Sequence, residues 1–245
     1  MPIGITTDIC ATFAGAIVGV LIGKKLPEYL KTALNNILGI AAITMGIVLI
    51  MRQHTLSAVV LSVILGCIVG EVIHLEALVN KGVTGVVGKL MGGTNADEAF
   101  LIQVSVVVIL FCFGGTGWYG ALNEGLTGDG SILITKSILD CVTALIFGSL
   151  LGKIVPLLCV PQAIVYTCLF LVSGLVQPFI TPEMIQDFSA AGGIITLCAG
   201  FRLTGMKRDI KVLNLLPSLI IVFFVSLQLV IKVLTVFLFN LLENH

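Results

Sequence analysis

Charge is what this chain has least of. Of its 245 residues, 11% are Asp, Glu, Lys or Arg, in equal numbers of each sign, for a net charge of zero. A soluble globular domain carries roughly 25% charged residues, so this composition excludes that class. The absence of a basic face or tail argues in turn against nucleic acid as a partner. No P-loop, HExxH or GxSxG motif and no dicarboxylate constellation occurs, so neither enzyme activity nor a cofactor is expected. The seven cysteines, at 10, 67, 112, 141, 159, 168 and 198, fall in apolar stretches without CxxC or metal-ligand spacing and read as small hydrophobes. Met1 to Asp8 lacks a basic n-region, so no cleavable leader is expected.

What the chain does have is length of apolar run. Hydrophobic residues make up 58% of it and mean hydropathy is +1.16. Runs of about 20 residues recur, the length an α-helix needs to cross a bilayer. The expectation is an all-α polytopic membrane protein of about eight spans, near 5–23, 33–51, 56–75, 99–118, 132–152, 154–175, 186–205 and 213–239, forming a single transmembrane domain over 1–245. The cations set its orientation. With the N-terminus outside, cytoplasmic turns hold Lys24, Lys25, Lys31, Lys81, Lys89, Lys153, Lys207, Arg208 and Lys211, whereas external loops hold Arg52 alone. An even number of spans also places Glu243-Asn244-His245 outside. The segment 79–98 has an apolar stripe beside Lys81 and Lys89, which reads as a cytoplasmic interfacial helix.

An internal repeat links two parts of the chain, 1–78 and 131–245. Residues 11–27 align without gaps to 140–156, so that Gly19, Gly23, Lys24 and Pro27 meet Gly148, Gly152, Lys153 and Pro156. Farther on, 38–49 aligns to 192–203, with Gly39 and Gly46 against Gly193 and Gly200. The offset lengthens by 25 residues between these blocks, the span holding Pro161, Gln162 and Tyr166. If that span crosses fully, the second and seventh spans run in opposite directions. Repeats of this kind recur in transporters, although duplication can also serve packing alone. Gly15, Gly19 and Gly23 form a GxxxGxxxG face suited to close helix approach or dimerisation.

The densest polar stretch is 111–140. Gly114, Gly115, Gly117 and Gly120 leave a helix poorly held there, and a broken helix at membrane depth is tolerated only where it is buried or lines a cavity. The formal GxGxxG at 115–120, which includes Thr116, follows no strand and is discarded. Asn123, Glu124 and Asp129 read as loop residues at an external mouth. Lys136 and Asp140, at i and i+4, share one face of the fifth span, and an intramembrane carboxylate is a functional candidate as proton carrier, cation ligand or substrate contact. Arg202 is the expected counterion of Asp140 or a substrate anchor, and Gly192, Gly193, Asn214, Gln162 and Tyr166 complete a candidate pathway that runs past Gly114, Gly115, Thr116 and Gly117. Glu71 with His74 reads as interfacial.

The stretch LFCFGGTGWYGALNEGLTGDGSILITKSILD, with Gly192-Gly193 and Asn214-Leu215-Leu216-Pro217, resembles the bacterial membrane family called domain of unknown function 554. The resemblance covers nearly the whole chain and implies a bacterial plasma (inner) membrane location, with no established activity. The family pattern has an amide where this chain has Arg202 and smaller residues where it has Trp118-Tyr119. Together these readings favour a transporter or channel for a small solute or ion, embedded in lipid and able to form a homodimer. A scaffold or partner-binding protein is the alternative. An intramembrane enzyme built on Ser137 beside Asp140 comes third, since serine and aspartate without a base are an incomplete set.

Overall fold

Helix is the only regular structure available to a chain that must satisfy every backbone N–H and C=O within lipid without closing a barrel. The computed structural model describes residues 2–23, 25–82, 98–176, 181–207 and 209–226. Ten helices occupy these residues: α1 Ile3–Gly23, α2 Glu28–Ile50, α3 Leu56–Val72, α4 Leu75–Gly82, α5 Glu98–Cys112, α6 Gly115–Thr127, α7 Ser131–Leu151, α8 Ile154–Val176, α9 Pro182–Leu203 and α10 Val212–Ser226, whose first turn, Val212–Leu215, is a 3₁₀ turn. At 1.5 Å per residue, the 21 residues of α1 rise about 31 Å, the thickness of a hydrocarbon core.

Among the described residues, six helices are long and apolar enough to cross a membrane; α5 and α6 count together as one, Gln103–Thr127. The pair α3 and α4, bent by 59°, makes a seventh if taken as a single span. His74 lies at that bend with φ of 50°. The eighth expected span begins as α10, but its continuation over 227–239 lies outside the described residues, as do the chain's C-terminus and most of the interfacial segment 79–98.

The segments that align in sequence lie against each other in the fold. A Cβ on Gly15, Gly19 or Gly23 would strike the carbonyl oxygen of Cys141, Leu145 or Ser149, and one on Gly148 would strike that of Ala16. Both sets of numbers ascend together, so α1 and α7 run parallel. A helical carbonyl points about three residues onward, so Gly19 lies level with Gly148, the residue with which the repeat aligns it. Between α2 and α9 the order reverses: Gly46 abuts Gly193 and Gly39 abuts Gly200. These helices are antiparallel, the direction expected when the extra span, α8, crosses fully. Gly66 and Gly70 of α3 meet Ser218 and Asn214 of α10, also antiparallel.

The core lies where these pairs meet α5 and α8. Trp118 stacks on Phe188 at 5.3 Å, and Phe188 on Phe223 at 5.0 Å, tying α6, α9 and α10 together. Exposed Ile, Leu and Val on α1, α2, α3 and α8 face outward, where lipid replaces water.

A leucine forced between α1 and α7 must part them. Gly19→Leu should destabilise the protein by about 1–3 kcal/mol, read as a fall in melting temperature in detergent, whereas Gly174→Leu, with open space at its Cβ position, should leave it unchanged. With the seven native cysteines replaced, cysteines introduced at Asp129 and Lys153, at opposite ends of α7, should differ in access: one should react with an impermeant reagent outside intact cells and the other only after permeabilisation.

Candidate functional site

Two adjacent glycines, Gly114 and Gly115, break the span formed by α5 and α6. Gly114 is extended, with φ −61° and ψ 129°, and α6 restarts at Gly115. Breaking a helix at membrane depth frees carbonyls, and each freed carbonyl needs a donor. The Tyr166 hydroxyl of α8 donates to Phe111 O at 2.6 Å, and the Trp118 indole to Cys112 O at 2.8 Å. Gly117 is required for this closure, because any Cβ there would strike the Tyr166 hydroxyl.

Beside the break lies a buried charge cluster. Lys136 and Asp140 pair along α7, and Lys136 Nζ also lies 3.7 Å from Asp8 Oδ2 of α1. Gln162 of α8 donates from Nε2 to Asp8 Oδ2 at 3.0 Å and to Asp140 Oδ2 at 3.4 Å. The ammonium sits 5.7 Å from the centre of the Tyr166 ring, within cation–π range. Asp8, Gln162 and Tyr166 are completely buried, and Lys136 and Asp140 nearly so. Asp8 Oδ1 and Gln162 Oε1 have no hydrogen-bond partner among the described residues.

A cavity of about 450 Å³ opens against this cluster. Its walls are α2 at Leu38 and Met45, the break at Phe111, Gly114 and Thr116, and α7 at Lys136, Asp140 and Thr143, with exposed Arg52 also bordering it. A second cavity of about 470 Å³ lies between α6 and α9, bordered by Tyr119, Asn123, Gln186 and the same Arg52.

Several sequence-predicted residues occupy other places. Arg202 does not pair with Asp140. It lies in the last turn of α9, 2.6 Å from Glu76 of α4, while Asp140 is held mid-helix by Lys136. Glu76 in turn accepts the Leu213 N–H at 3.2 Å, and its own N–H donates to Asn214 Oδ1 at 2.7 Å, so Asn214 belongs to this second cluster. Glu124 is not a solvated loop residue, because 115–127 is helical and buries it. Its two oxygens accept the N–H groups of Gly4 and Ile5 at 2.6 and 3.0 Å, capping α1. Asn123 donates to Asp129 O at 3.1 Å, and Asp129 is exposed, with the Ser131 N–H holding its carboxyl below the usual range. Gly193 serves the α2–α9 contact, and Gly192 O accepts the Thr196 hydroxyl. Glu71 forms an exposed ion pair with Lys211 at 2.8 Å, an interfacial role worth little energy.

Asp8, Glu76 and Asp187 were not singled out as site residues from sequence. Asp187 accepts the N–H groups of His54 and Thr55 at 3.0 and 2.7 Å at the start of α3. The available signal was the cost of an acid inside an apolar run, which applies to Asp8 as fully as to Asp140.

The fold and its buried ion pairs define the class: a multi-pass α-helical membrane protein with charged residues locked inside the bundle. Residues 3–227 match the family described as "Protein of unknown function (DUF554)". The chain belongs to that bacterial family. It is 38% identical over 223 residues to the "Uncharacterized protein YqgA" of Escherichia coli (strain K12), covering 90% of this chain and 94% of that protein. To the "Uncharacterized membrane protein YdfK" of Bacillus subtilis (strain 168) it is 29% identical over 213 residues, 85% of this chain and 88% of the relative. No solved structure matches.

Removing the Glu124 carboxylate strands two buried N–H groups. Glu124→Ala should cost about 2–6 kcal/mol, at 1–3 for each orphaned group, and Glu124→Gln about half as much because one acceptor remains. Thermal melting of the purified variants measures both.

Proposed function

We propose that this protein is a transporter or channel for a small solute or ion, with eight spans, both termini outside and the cavity beside α7 as its binding chamber. The observation that carries the reading is the meeting of three features in one place: a helix broken at Phe113–Gly114, a buried Lys136–Asp140 pair, and a cavity of about 450 Å³ lined by both. Charged groups are expensive in hydrocarbon, and a scaffold needs none of them to face a cavity. Broken helices that line cavities, at the interface of repeated units, are how transport proteins present polar groups at mid-membrane.

Asp140 acts here as the cargo-facing carboxylate and Lys136 as its counterion. Arg52, bordering both cavities, supplies a cation where the chamber meets the outer face. Arg202 and Asn214 tie α4, α9 and α10 together and take no part in the chamber. The scaffold reading draws on one observation, that two buried ion pairs among the described residues are already closed, with Glu76 on Arg202 and Asp140 on Lys136.

Melting temperature in detergent, measured against monovalent cations, inorganic anions, small carboxylates and amino acids, decides between them. A ligand at 100 times its dissociation constant stabilises the native state by about 2.7 kcal/mol. One class of ligand should raise the melting temperature of wild type and lose that effect in Asp140→Asn. If no compound shifts wild type and Asp140→Asn is merely less stable, transport is overturned in favour of the scaffold.

A further inference from the structure

The cluster behind the cavity holds two carboxylates and one lysine. A single ammonium neutralises one of them; a second ionised carboxylate, wholly buried, would stand uncompensated at a cost of several kcal/mol. The hydrogen bonds identify which one is neutral. Asp140 has the Lys136 ammonium in direct contact and shares the Gln162 amide. Asp8 engages only Oδ2, toward Gln162 Nε2 at 3.0 Å and, more distantly, Lys136 at 3.7 Å.

The unmatched atoms point the same way. Gln162 turns its NH₂ toward two carboxylate oxygens, which fixes the sense of the amide and leaves Oε1 as an acceptor. Asp8 Oδ1 is likewise an acceptor. Both are buried without a donor among the described residues, on two groups already joined by one hydrogen bond. What is missing is a donor, and one proton supplies it.

We infer that Asp8 and Gln162 form a proton-binding site: the neutral Asp8 carboxyl donates from Oδ1 to Gln162 Oε1 while Gln162 Nε2 donates to Asp8 Oδ2, closing a two-bond acid–amide ring. Binding forms one O–H bond on Oδ1 and removes one negative charge from the cluster. Release leaves the electron pair on Oδ1 and passes the proton to solvent reaching the cavity wall at Asp140. The other groups facing Asp8 are Lys136 and Asp140 from α7 and Tyr166 and Cys159 from α8, with Glu124 of α6 one turn away at Gly4 and Ile5. Of these, Lys136 alone carries positive charge. Ionised Asp8 therefore draws Lys136 from Asp140, and Asp140 is freed to meet a cargo in the chamber. That last use, a proton as coupling ion, rests on the transport reading; the proton site itself does not.

Infrared spectroscopy of the purified full-length protein tests the site with no flux measured. A carboxylic acid has a C=O stretch that a carboxylate lacks. Wild type at neutral pH should show that band and Asp8→Asn should lose it; Asp140→Asn should lose it as well, because Lys136 is then left to pair with an ionised Asp8. Asparagine reproduces the shape and hydrogen bonds of the neutral acid, so Asp8→Asn should melt within about 3 °C of wild type, equivalent to about 1 kcal/mol, whereas Gln162→Leu should melt well below it. An acid band that persists in Asp8→Asn, or is absent from wild type, overturns the assignment. So does stabilisation of wild type by sodium or potassium chloride that is lost in Asp8→Asn, because the orphaned oxygens would then hold a metal cation. Transport can fail in the ligand-melting experiment while the acid band is present, so the two readings are separable.

Discussion

Every buried helix start in a bilayer presents N–H groups that have no water to turn to, and the architecture depends on how they are answered. Three carboxylates do this across the fold, each from a helix distant in sequence: Glu124 of α6 for α1, Asp187 of α9 for α3, and Glu76 of α4 for α10. An unsatisfied group costs several kcal/mol where it is buried, as at Gly4, Ile5 and Leu213, so each acid is at once a cap and a tether. Negative charge at a helix N-terminus also meets the positive end of its dipole.

Glycine decides where the tethered helices come into contact. Lipid gives apolar side chains no reason to prefer each other over acyl chains, so association depends on backbone approach. The α1–α7 and α2–α9 pairs are closed in this way. The register that sets Gly19 level with Gly148 sets Asp8 level with Ser137, beside Lys136, so the ion cluster follows from the same interlock. Where α2 faces α7 no glycine contact forms, and the cavity opens there.

Much of the site was legible as residue types. Gly114 marked the break, Lys136 and Asp140 marked a charged face at i and i+4, and Gln162 with Tyr166 marked a polar face on α8. Their partners were not legible. Tyr166 bonds a carbonyl 55 residues earlier, and Gln162 reaches an aspartate 154 residues away. Asp8 was not singled out because one sequence shows burial cost and not burial depth. The pairing of Arg202 with Asp140 failed for a related reason: two unpaired-looking charges of opposite sign attract on paper, whereas in the bundle each had a nearer partner.

By itself the sequence determined the solvent, the helical state, the approximate length of the spans and the helices bearing close-contact faces, because hydrophobicity and glycine spacing are local properties along the chain. The tertiary structure alone decided which buried acid meets which ammonium and which helix start. Those outcomes depend on the order, direction and rotation of helices, and a shift of a single turn exchanges one hydrogen-bond partner for another at similar sequence cost.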